Sequence, residues 1–242
     1  MAERKSSVAA VAHRTRHLRW RAQRVIGRAR RRAERVNEAL AGVNLQVSAG
    51  SVALTFDDGP HPGSTDRILD VLADLQVPAT FFCVGKNARA HPELLRRIEA
   101  EGHAIGSHSF THPHPRETRH GALRAEYRDG RAAVEDVLGR EVRLFRPPHG
   151  HLNPAGALMI RRLELQPWLW SVDPTDWRPG ATRVEVTEVA SRAASGDVVL
   201  FHDWVEQPFA PSALDRTATI QSLPDVISAV RRRGLTLVTV ES

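Results

Sequence analysis

The stretch Thr55-Phe56-Asp57-Asp58-Gly59-Pro60 lies where a predicted strand ends and a turn begins. The apolar run Val52-Ala53-Leu54 before it is typical of a buried strand, and Gly59-Pro60 breaks the chain into a turn. Adjacent carboxylates resist ionising together, so a nearby cation is the simplest way to keep both charged. One carboxylate can then bind a metal ion while its neighbour handles a proton. Taken alone, the stretch is equally consistent with a pair that only solvates the turn.

From residue 51 onward, segments typical of strands alternate with segments typical of helices. Helix 65–76 illustrates the pattern, because Ile68, Leu69 and Leu72 fall on one helical face. Seven strands that alternate with six helices predict an α/β fold with a parallel sheet, either open or closed into a barrel. The predicted strands are 52–56, 79–84, 104–107, 142–146, 167–172, 197–202 and 235–240. The predicted helices are 65–76, 87–101, 119–138, 154–163, 182–194 and 214–233.

The basic charge of this 242-residue chain is concentrated near its N-terminus. Residues 1–40 hold twelve Lys and Arg against three Asp and Glu, a net charge of +9. Of the chain's 34 basic and 28 acidic residues, 22 and 25 therefore remain in the other 202, a net charge of −3. This distribution makes nucleic-acid binding by the whole protein an unsupported interpretation.

Residues 13–40 are predicted to form a basic helical arm. Arginines fill most of its faces, and a set of apolar residues recurs at helical spacing on one face. The arm is a solvated helix or a partly disordered segment that packs on the domain, or else it is a basic amphipathic helix that contacts an anionic membrane, polymer or partner. We predict an arm and linker over 1–48 and one domain over 49–242. The apolar residues are Ala22, Ile26, Ala29, Ala33, Val36 and Leu40.

Cys83 is the single cysteine, which excludes an intrachain disulfide, and its apolar neighbours predict a buried strand position. No apolar stretch has transmembrane length. The run 8–12 is too short for the apolar core of a signal peptide. The sequence as written therefore predicts a cytoplasmic protein, with association with the cell envelope as the alternative.

Nearly every cluster of histidine, aspartate and arginine follows a predicted strand. We expect these clusters to converge, because α/β barrels carry reactive side chains at the C-terminal ends of their strands. His108 and His112 are four residues apart, a spacing that can aim both imidazoles at one point. Two imidazoles and one carboxylate leave an open position for water, as in hydrolytic zinc sites. The clusters are Asp57 with Asp58, His108 with His112, Arg146, Asp173 with Asp176 and Trp177, and His202 with Asp203.

Five segments, in this order, resemble the motifs of the polysaccharide deacetylases, which are carbohydrate esterase family four with the NodB-type domain. The resemblance implies a distorted (β/α) barrel of seven strands and metal-dependent hydrolysis of an N-acetyl group. The implied substrate is an N-acetylglucosamine-containing polysaccharide or oligosaccharide of the chito-oligosaccharide or peptidoglycan type. The segments are Thr-Phe-Asp-Asp-Gly-Pro at 55–60, His-Ser-Phe-Thr-His at 108–112, Arg-Pro-Pro-His-Gly at 146–150, Asp-Pro-Thr-Asp-Trp at 173–177 and Leu-Phe-His at 200–202.

The resemblance also implies roles for the polar residues of the first three motifs. Asp58, His108 and His112 would bind a divalent metal, most simply Zn²⁺, with Co²⁺ or Ni²⁺ as alternatives. Asp57 would be the general base. Arg146 would hold its carboxylate, which makes physical sense because a neighbouring cation stabilises the ionised form.

The last two motifs resemble those that supply the general acid. His202 would be the acid, oriented by Asp173, while Asp176 has a less defined supporting role. Trp177 and Leu200 would form an apolar wall around the acetyl methyl group.

His149 stands where the family often has tyrosine. The family uses the backbone N–H of this residue to stabilise the oxyanion, and any residue except proline supplies that group. We therefore expect the chemistry to be unaffected, while the imidazole alters the sugar-binding rim.

Three other functions compete with this interpretation. A metal-dependent amidase or deacylase acting on a small N-acylated metabolite or sugar conjugate would suit a cytoplasmic protein. A non-heme iron oxygenase also uses two histidines and one carboxylate, but it leaves Arg146 and the Asp173–His202 pair unexplained. An inactive carbohydrate-binding module would have lost a base or a ligand, and this chain retains both.

Overall fold

A computed structural model describes residues 32–240, and over this range it confirms the predicted α/β alternation. The strands are β1 (Ser51–Asp57), β2 (Thr80–Cys83), β3 (Ala104–Ser107), β4 (Leu144–Phe145), β5 (Gln166–Pro167), β6 (Val198–His202) and β7 (Thr236–Val238). The helices are α1 (32–41), α2 (Thr65–Asp74), α3 (Gly85–Ala90), α4 (Pro92–Ala100), α5 (His120–Leu138), α6 (Pro154–Arg162), α7 (Arg183–Ala190) and α8 (Thr217–Arg232).

β1 is the central strand of a seven-stranded parallel sheet. It pairs with β6 on one edge, while β7 and then β2 pair with successive parts of its length. The order continues from β2 through β3 and β4 to β5. Beyond β5 the chain returns to β6, where Val172 forms a parallel bridge with Val199. The sheet therefore curves back on itself as a distorted barrel, as the resemblance implies.

The core fills the space between this sheet and its helices. Phe56 of β1 stacks on Phe81 and Phe201, with ring centroids 5.0 and 5.6 Å apart. Each buried aromatic side chain of this kind contributes about 1.5–3 kcal/mol. The predicted apolar face of α2 is buried against this core. Cys83 is also buried, as predicted.

Several predicted boundaries are wrong, and proline explains most of the differences. The predicted helix 87–101 is two helices, because Pro92 starts α4 after the chain bends at His91. β4 ends at Phe145, two residues before Pro147, and β5 ends at Pro167 itself. Pro147 and Pro148 have no N–H to donate to a strand ladder, which ends β4 early. The Trp168 N–H still donates to the Phe145 carbonyl oxygen at 2.8 Å, so Pro167 itself does not end β5. The C-terminal residues of both segments turn instead toward the cleft described below.

The end of the predicted arm packs against the rest of the protein. Asn37 of α1 donates a hydrogen bond to the Leu152 carbonyl oxygen at 3.0 Å. Asn44 bridges to Trp168, and the Val47 N–H donates to the Gly196 carbonyl oxygen at 3.0 Å. The predicted linker is thus tied to the ends of two strands, while the division of the chain at residue 48 stays a prediction.

The apolar face predicted for the arm does not make these contacts. Asn37 and Ala41 are buried, whereas Val36 and Leu40 are 52% and 51% exposed. The hydrogen bond from Asn37 to the Leu152 carbonyl oxygen therefore helps to orient α1 on the domain, and the spacing of apolar residues cannot reveal such a contact. The part of this face before residue 32 lies outside the described residues. Within residues 32–240, no helix is both long enough and apolar enough to span a membrane.

Candidate active site

A cleft of about 510 Å³ opens at the C-terminal ends of the strands. Its walls come from the segments after five strands, as expected for a parallel α/β barrel. Arg146 and Asp176 lie behind the lining and contact residues that form it. The predicted site residues that line the cleft are Asp57, Asp58, His108, His112, His149, Asp173, Trp177, Leu200 and His202.

Asp58, His108 and His112 form one buried cluster of side chains. The Nε2 atoms of His108 and His112 lie 3.5 and 3.4 Å from Asp58 Oδ1. All candidate ligand atoms of this group lie within 4.8 Å of one another. His108 Nδ1 donates to the Arg146 carbonyl oxygen at 2.6 Å, so its Nε2 presents a lone pair to the cluster.

The cluster has the features of a divalent metal site. Asp58 Oδ1 is buried and has no hydrogen-bond partner among the described residues. Burial raises the pKa of Asp58 to about 6 and lowers the pKa of His112 to about 4, so the protein alone gives the carboxylate little cationic compensation. Ligands about 2.0–2.2 Å from a tetrahedral ion lie about 3.3–3.6 Å apart, close to the separations seen here. The three side chains therefore fit a bound metal ion.

Asp57 is held by a buried arginine, as the resemblance implies. Arg146 Nη1 donates to Asp57 Oδ1 at 2.7 Å and to Thr55 Oγ1 at 2.8 Å. Its Nε and Nη2 donate to the Trp168 and Leu169 carbonyl oxygens, both at 3.2 Å. Burial raises the pKa of Asp57, and the adjacent guanidinium opposes this by favouring the carboxylate. The second oxygen of this carboxylate remains free of the arginine, and the role of Asp57 as a base stays a prediction.

His202 is paired with Asp176. His202 Nδ1 donates to Asp176 Oδ1 at 2.8 Å, and the His202 backbone N–H donates to Oδ2 at 2.9 Å. This tautomer leaves Nε2 as the ring nitrogen available to the cleft. Burial alone would lower the pKa of His202, but Asp176, with Asp58 and Asp57 nearby, raises it to about 9. The imidazole therefore keeps its second proton at neutral pH.

The prediction that Asp173 orients His202 is corrected by this pairing. Asp173 lines the cleft, and its Oδ1 accepts a hydrogen bond from the Thr175 N–H at 2.7 Å. The turn between Asp173 and Asp176, with Thr175 at φ 54°, separates their carboxylates. It places the Asp176 carboxylate against Nδ1 of His202. Thr219 also donates to Asp176 Oδ2, at 2.8 Å.

Two residues that contact Asp176 were missed in the sequence. Arg216 is buried and donates to the Asp176 carbonyl oxygen at 3.0 Å. Thr219 lies in the first turn of α8 and donates to the carboxylate itself. Neither belongs to a quoted motif, and both are 40 or more residues away from Asp176. No local signal in the sequence marks them.

Asp203 shapes the turn that carries the Asp58 carboxylate. Its two oxygens accept hydrogen bonds from the Gly59 N–H at 3.0 Å and from Thr65 Oγ1 at 2.6 Å. A Cβ atom on Gly59 would lie 1.8 Å from Asp203 Oδ2. Asp58 itself has φ 80°, a conformation that residues with a side chain rarely adopt. Local strain of this kind is commonly maintained at functional sites.

The rim of the cleft extends on both sides of these residues. His149, at φ 58°, stacks near His112 and His114, with ring centroids 4.5 and 4.8 Å apart. On another part of the rim, the Trp177 ring lies 6.2 Å from Phe209, which is 84% exposed. Sequence reasoning missed His114 and Phe209 because each is a single residue in a loop. The roles predicted for the His149 N–H, Trp177 and Leu200 stay predictions.

Comparisons with known proteins agree with this arrangement. The sequence model of the polysaccharide deacetylase family matches residues 44–168. The chain is 34% identical over 200 residues to the chitooligosaccharide deacetylase of Azorhizobium caulinodans, covering 80% of this chain and 94% of that protein. It is 34% identical over 192 residues to a peptidoglycan-N-acetylglucosamine deacetylase of Bacillus cereus, covering 78% and 85%. A family 4 carbohydrate esterase from Streptomyces lividans, solved in complex with acetate, matches with a TM-score of 0.69 and 31% identity, covering 78% of this chain and 91% of that one.

Proposed function

This chain belongs to the polysaccharide deacetylase family, and we propose that it hydrolyses the N-acetyl group of an N-acetylglucosamine-containing oligosaccharide or polysaccharide. The products are acetate and a free amino sugar. The observation that carries the proposal is the meeting, in one cleft, of the Asp58–His108–His112 group with an arginine-held carboxylate and a carboxylate-held imidazole.

The first chemical step assigns a proton transfer to Asp57. Asp58, His108 and His112 would hold the metal ion, which would supply Lewis-acid polarisation of the acetamide carbonyl and lower the pKa of a water molecule. Asp57 accepts a proton as the water oxygen forms a bond to the carbonyl carbon. Arg146 favours the ionised form of the Asp57 carboxylate and fixes its orientation, because its guanidinium donates a hydrogen bond to Oδ1. The His149 N–H is assigned to the oxyanion, a contribution of about 3–4 kcal/mol for a donor of this kind.

The second step assigns a proton donation to His202. The C–N bond breaks as the Nε2 proton passes to the leaving nitrogen, because an amide nitrogen leaves readily only as an amine. The pKa of about 9 supports this role, since the donor is protonated at neutral pH. Asp176 stabilises the protonated imidazole and fixes its direction through Nδ1.

We assign Zn²⁺ as the metal, with Co²⁺ or Ni²⁺ as alternatives. Two imidazole nitrogens and one carboxylate oxygen are the donor set typical of three-ligand hydrolytic zinc sites. Acetate release should disappear on dialysis against a chelator and return when one metal is added back. Comparing the three ions at equal free concentration, with metal content measured in parallel, identifies the ion that supports the reaction.

A substrate screen tests the activity. Acetate release should be measured from chitin oligomers, peptidoglycan fragments and monomeric N-acetylated sugar conjugates, with Asp57→Asn as the inactive control. We expect release from the oligomers or the fragments. Release confined to the monomeric conjugates would instead identify a small-molecule deacylase. Sugar binding without any release, with metal present, would identify an inactive binding module.

We also propose that the basic arm contacts an anionic surface or polymer. Support comes from its net charge of +9 and from α1, where Val36 and Leu40 are exposed beside the exposed Arg32 and Arg35. A chain that starts at residue 32 and carries Arg32→Glu and Arg35→Glu should lose sedimentation with anionic vesicles and keep its activity on free oligomers, and unchanged sedimentation would contradict the proposal. A cytoplasmic location, with the cell envelope as the alternative, stays a proposal that cell fractionation tests.

A further inference from the structure

The loop after β6 contacts two of the three residues assigned to the metal. The Glu206 backbone N–H donates to Asp58 Oδ2 at 2.7 Å, which is the carboxylate oxygen that does not face the histidines. Gln207 Nε2 donates to the His112 carbonyl oxygen at 3.3 Å. Gln207 has φ 57°, so the backbone bends sharply at this point. We call Val205–Gln207 the strap.

The side chain of Glu206 anchors the strap to α3. Lys86 Nζ lies 2.5 Å from Glu206 Oε1, and Asn87 Nδ2 donates to Oε2 at 3.1 Å. Asn87 Nδ2 also donates to the Asp58 backbone carbonyl oxygen at 2.8 Å. The Glu206 side chain is only 11% exposed, while that of Lys86 is 43% exposed. The side-chain amide of Asn87 thus links the backbone of Asp58 to the side chain of Glu206.

These contacts restrict the rotation of the Asp58 carboxylate. With Oδ2 occupied by an N–H donor, Oδ1 is left facing His108 and His112. A hydrogen bond from an N–H to an ionised carboxylate is stronger and shorter than a neutral one. The two oxygens of Glu206 already have partners in α3, so the direct contact of Glu206 with Asp58 is made by its backbone N–H.

We propose that Glu206, anchored by Lys86 and Asn87, is a positioning residue that presets the geometry of the metal site. This inference rests on the proposed function, because it presumes that Asp58 binds the metal. Groups that orient metal ligands in this way typically account for about 10–100-fold in metal affinity. The strap lies outside the five motifs, so the role proposed for it rests only on the contacts described above.

Metal affinity of the full-length protein tests the proposal. Apo protein would be titrated with Zn²⁺ against a chromophoric chelator, for the parent, Glu206→Ala, Glu206→Gln and Asp225→Ala. We expect about 10–100-fold weaker binding for Glu206→Ala and a smaller loss for Glu206→Gln, whose amide oxygen can still accept from Lys86. Asp225→Ala is the matched control, since it removes another ion pair, Arg183–Asp225 at 2.7 Å, outside the cleft lining.

Two further measurements separate positioning from a general loss of structure. The melting temperature of the apo protein should match between Glu206→Ala and Asp225→Ala, and the visible spectrum of the Co²⁺-loaded protein should change only for Glu206→Ala. Parental Zn²⁺ affinity in Glu206→Ala would overturn the proposal, whatever the activity. A parent that releases no acetate while Glu206→Ala still loses metal affinity would overturn the proposed function and support the strap.

Discussion

Asp57 and His202 are both held by a buried partner of opposite charge, but the two partners are supported by different parts of the fold. Arg146, the partner of Asp57, is fixed by Thr55 and by two carbonyl oxygens of the segment after β5. Asp176, the partner of His202, lies in a loop and depends on groups at the start of α8. The Asp57 side of the cleft is therefore built by the sheet, and the His202 side by the docking of a helix.

Replacing Asp57 by asparagine should have the largest effect on activity. Asparagine can still accept a hydrogen bond from Arg146 but cannot take a proton from water, so turnover should fall by about 10²–10⁴-fold. Metal content should stay at the parental level because Asp58, His108 and His112 are unchanged. Acetate release and metal analysis on the same sample check both parts, and turnover at the parental rate would show that the base is misassigned.

Replacing Arg146 by methionine tests how much the buried Arg146–Asp57 pair contributes to stability. The change leaves the Asp57 carboxylate buried without its cation, which should lower the free energy of unfolding by about 3–5 kcal/mol. Denaturant unfolding measures this loss. Arg183→Met, which breaks the exposed pair with Asp225, is the control and should cost about 1 kcal/mol or less. Equal effects of the two changes would contradict the buried-pair interpretation.

On the acid side, Asp176→Asn and Asp173→Asn should give different pH profiles. His202 must be protonated to donate, so activity is lost as pH rises through its pKa, about 9 in the parent. Without the Asp176 charge the pKa falls, and the alkaline limb of kcat/KM should move to lower pH with about 10²-fold lower turnover. Asp173→Asn keeps the Nδ1 hydrogen bond, so its limb should stay in place. A limb that moves for Asp173→Asn alone would restore the original assignment.

The smallest expected effect comes from Thr219→Val, which keeps the side-chain shape and removes one hydrogen bond to Asp176. A bond to a charged group of this kind contributes about 1.5–3 kcal/mol. Without this donor the ionised carboxylate is more basic and stabilises the His202 imidazolium more strongly, so the alkaline limb should move slightly to higher pH, opposite to the shift for Asp176→Asn. A pH titration of kcat/KM checks this, and an unchanged profile would show that α8 does not tune the acid.

The same contrast explains which site residues the sequence could predict. Asp57, Asp58 and Arg146 follow strands directly, and the parallel sheet brings strand ends together without further information. The choice between Asp173 and Asp176 depends on the turn at Thr175 and on Thr219, which is 43 residues away from Asp176. Contacts with such separation leave no local pattern, so the wrong carboxylate was predicted.

The errors in the fold have a similar origin. Apolar runs predicted β4 and β5 as longer strands, because hydrophobicity does not report where the backbone leaves the sheet, as it does before Pro147 at the end of β4. The apolar pattern predicted the wrong docking face for α1, because the polar residue Asn37 makes the contact through a hydrogen bond to the Leu152 carbonyl oxygen. Periodicity predicted the element in each case, while individual polar contacts decided its extent or its orientation.

The position of α1 affects how the arm relates to the cleft. Glu34 of α1 forms an ion pair with Arg116, and its Oε1 lies 3.8 Å from Nδ1 of His151, a residue of the cleft wall. α1 therefore lies beside the wall of the cleft. A partner bound by α1, as proposed above, would be held there, so acetylated groups on that partner would have a raised effective concentration at the cleft, whereas freely diffusing oligomers would gain no such increase.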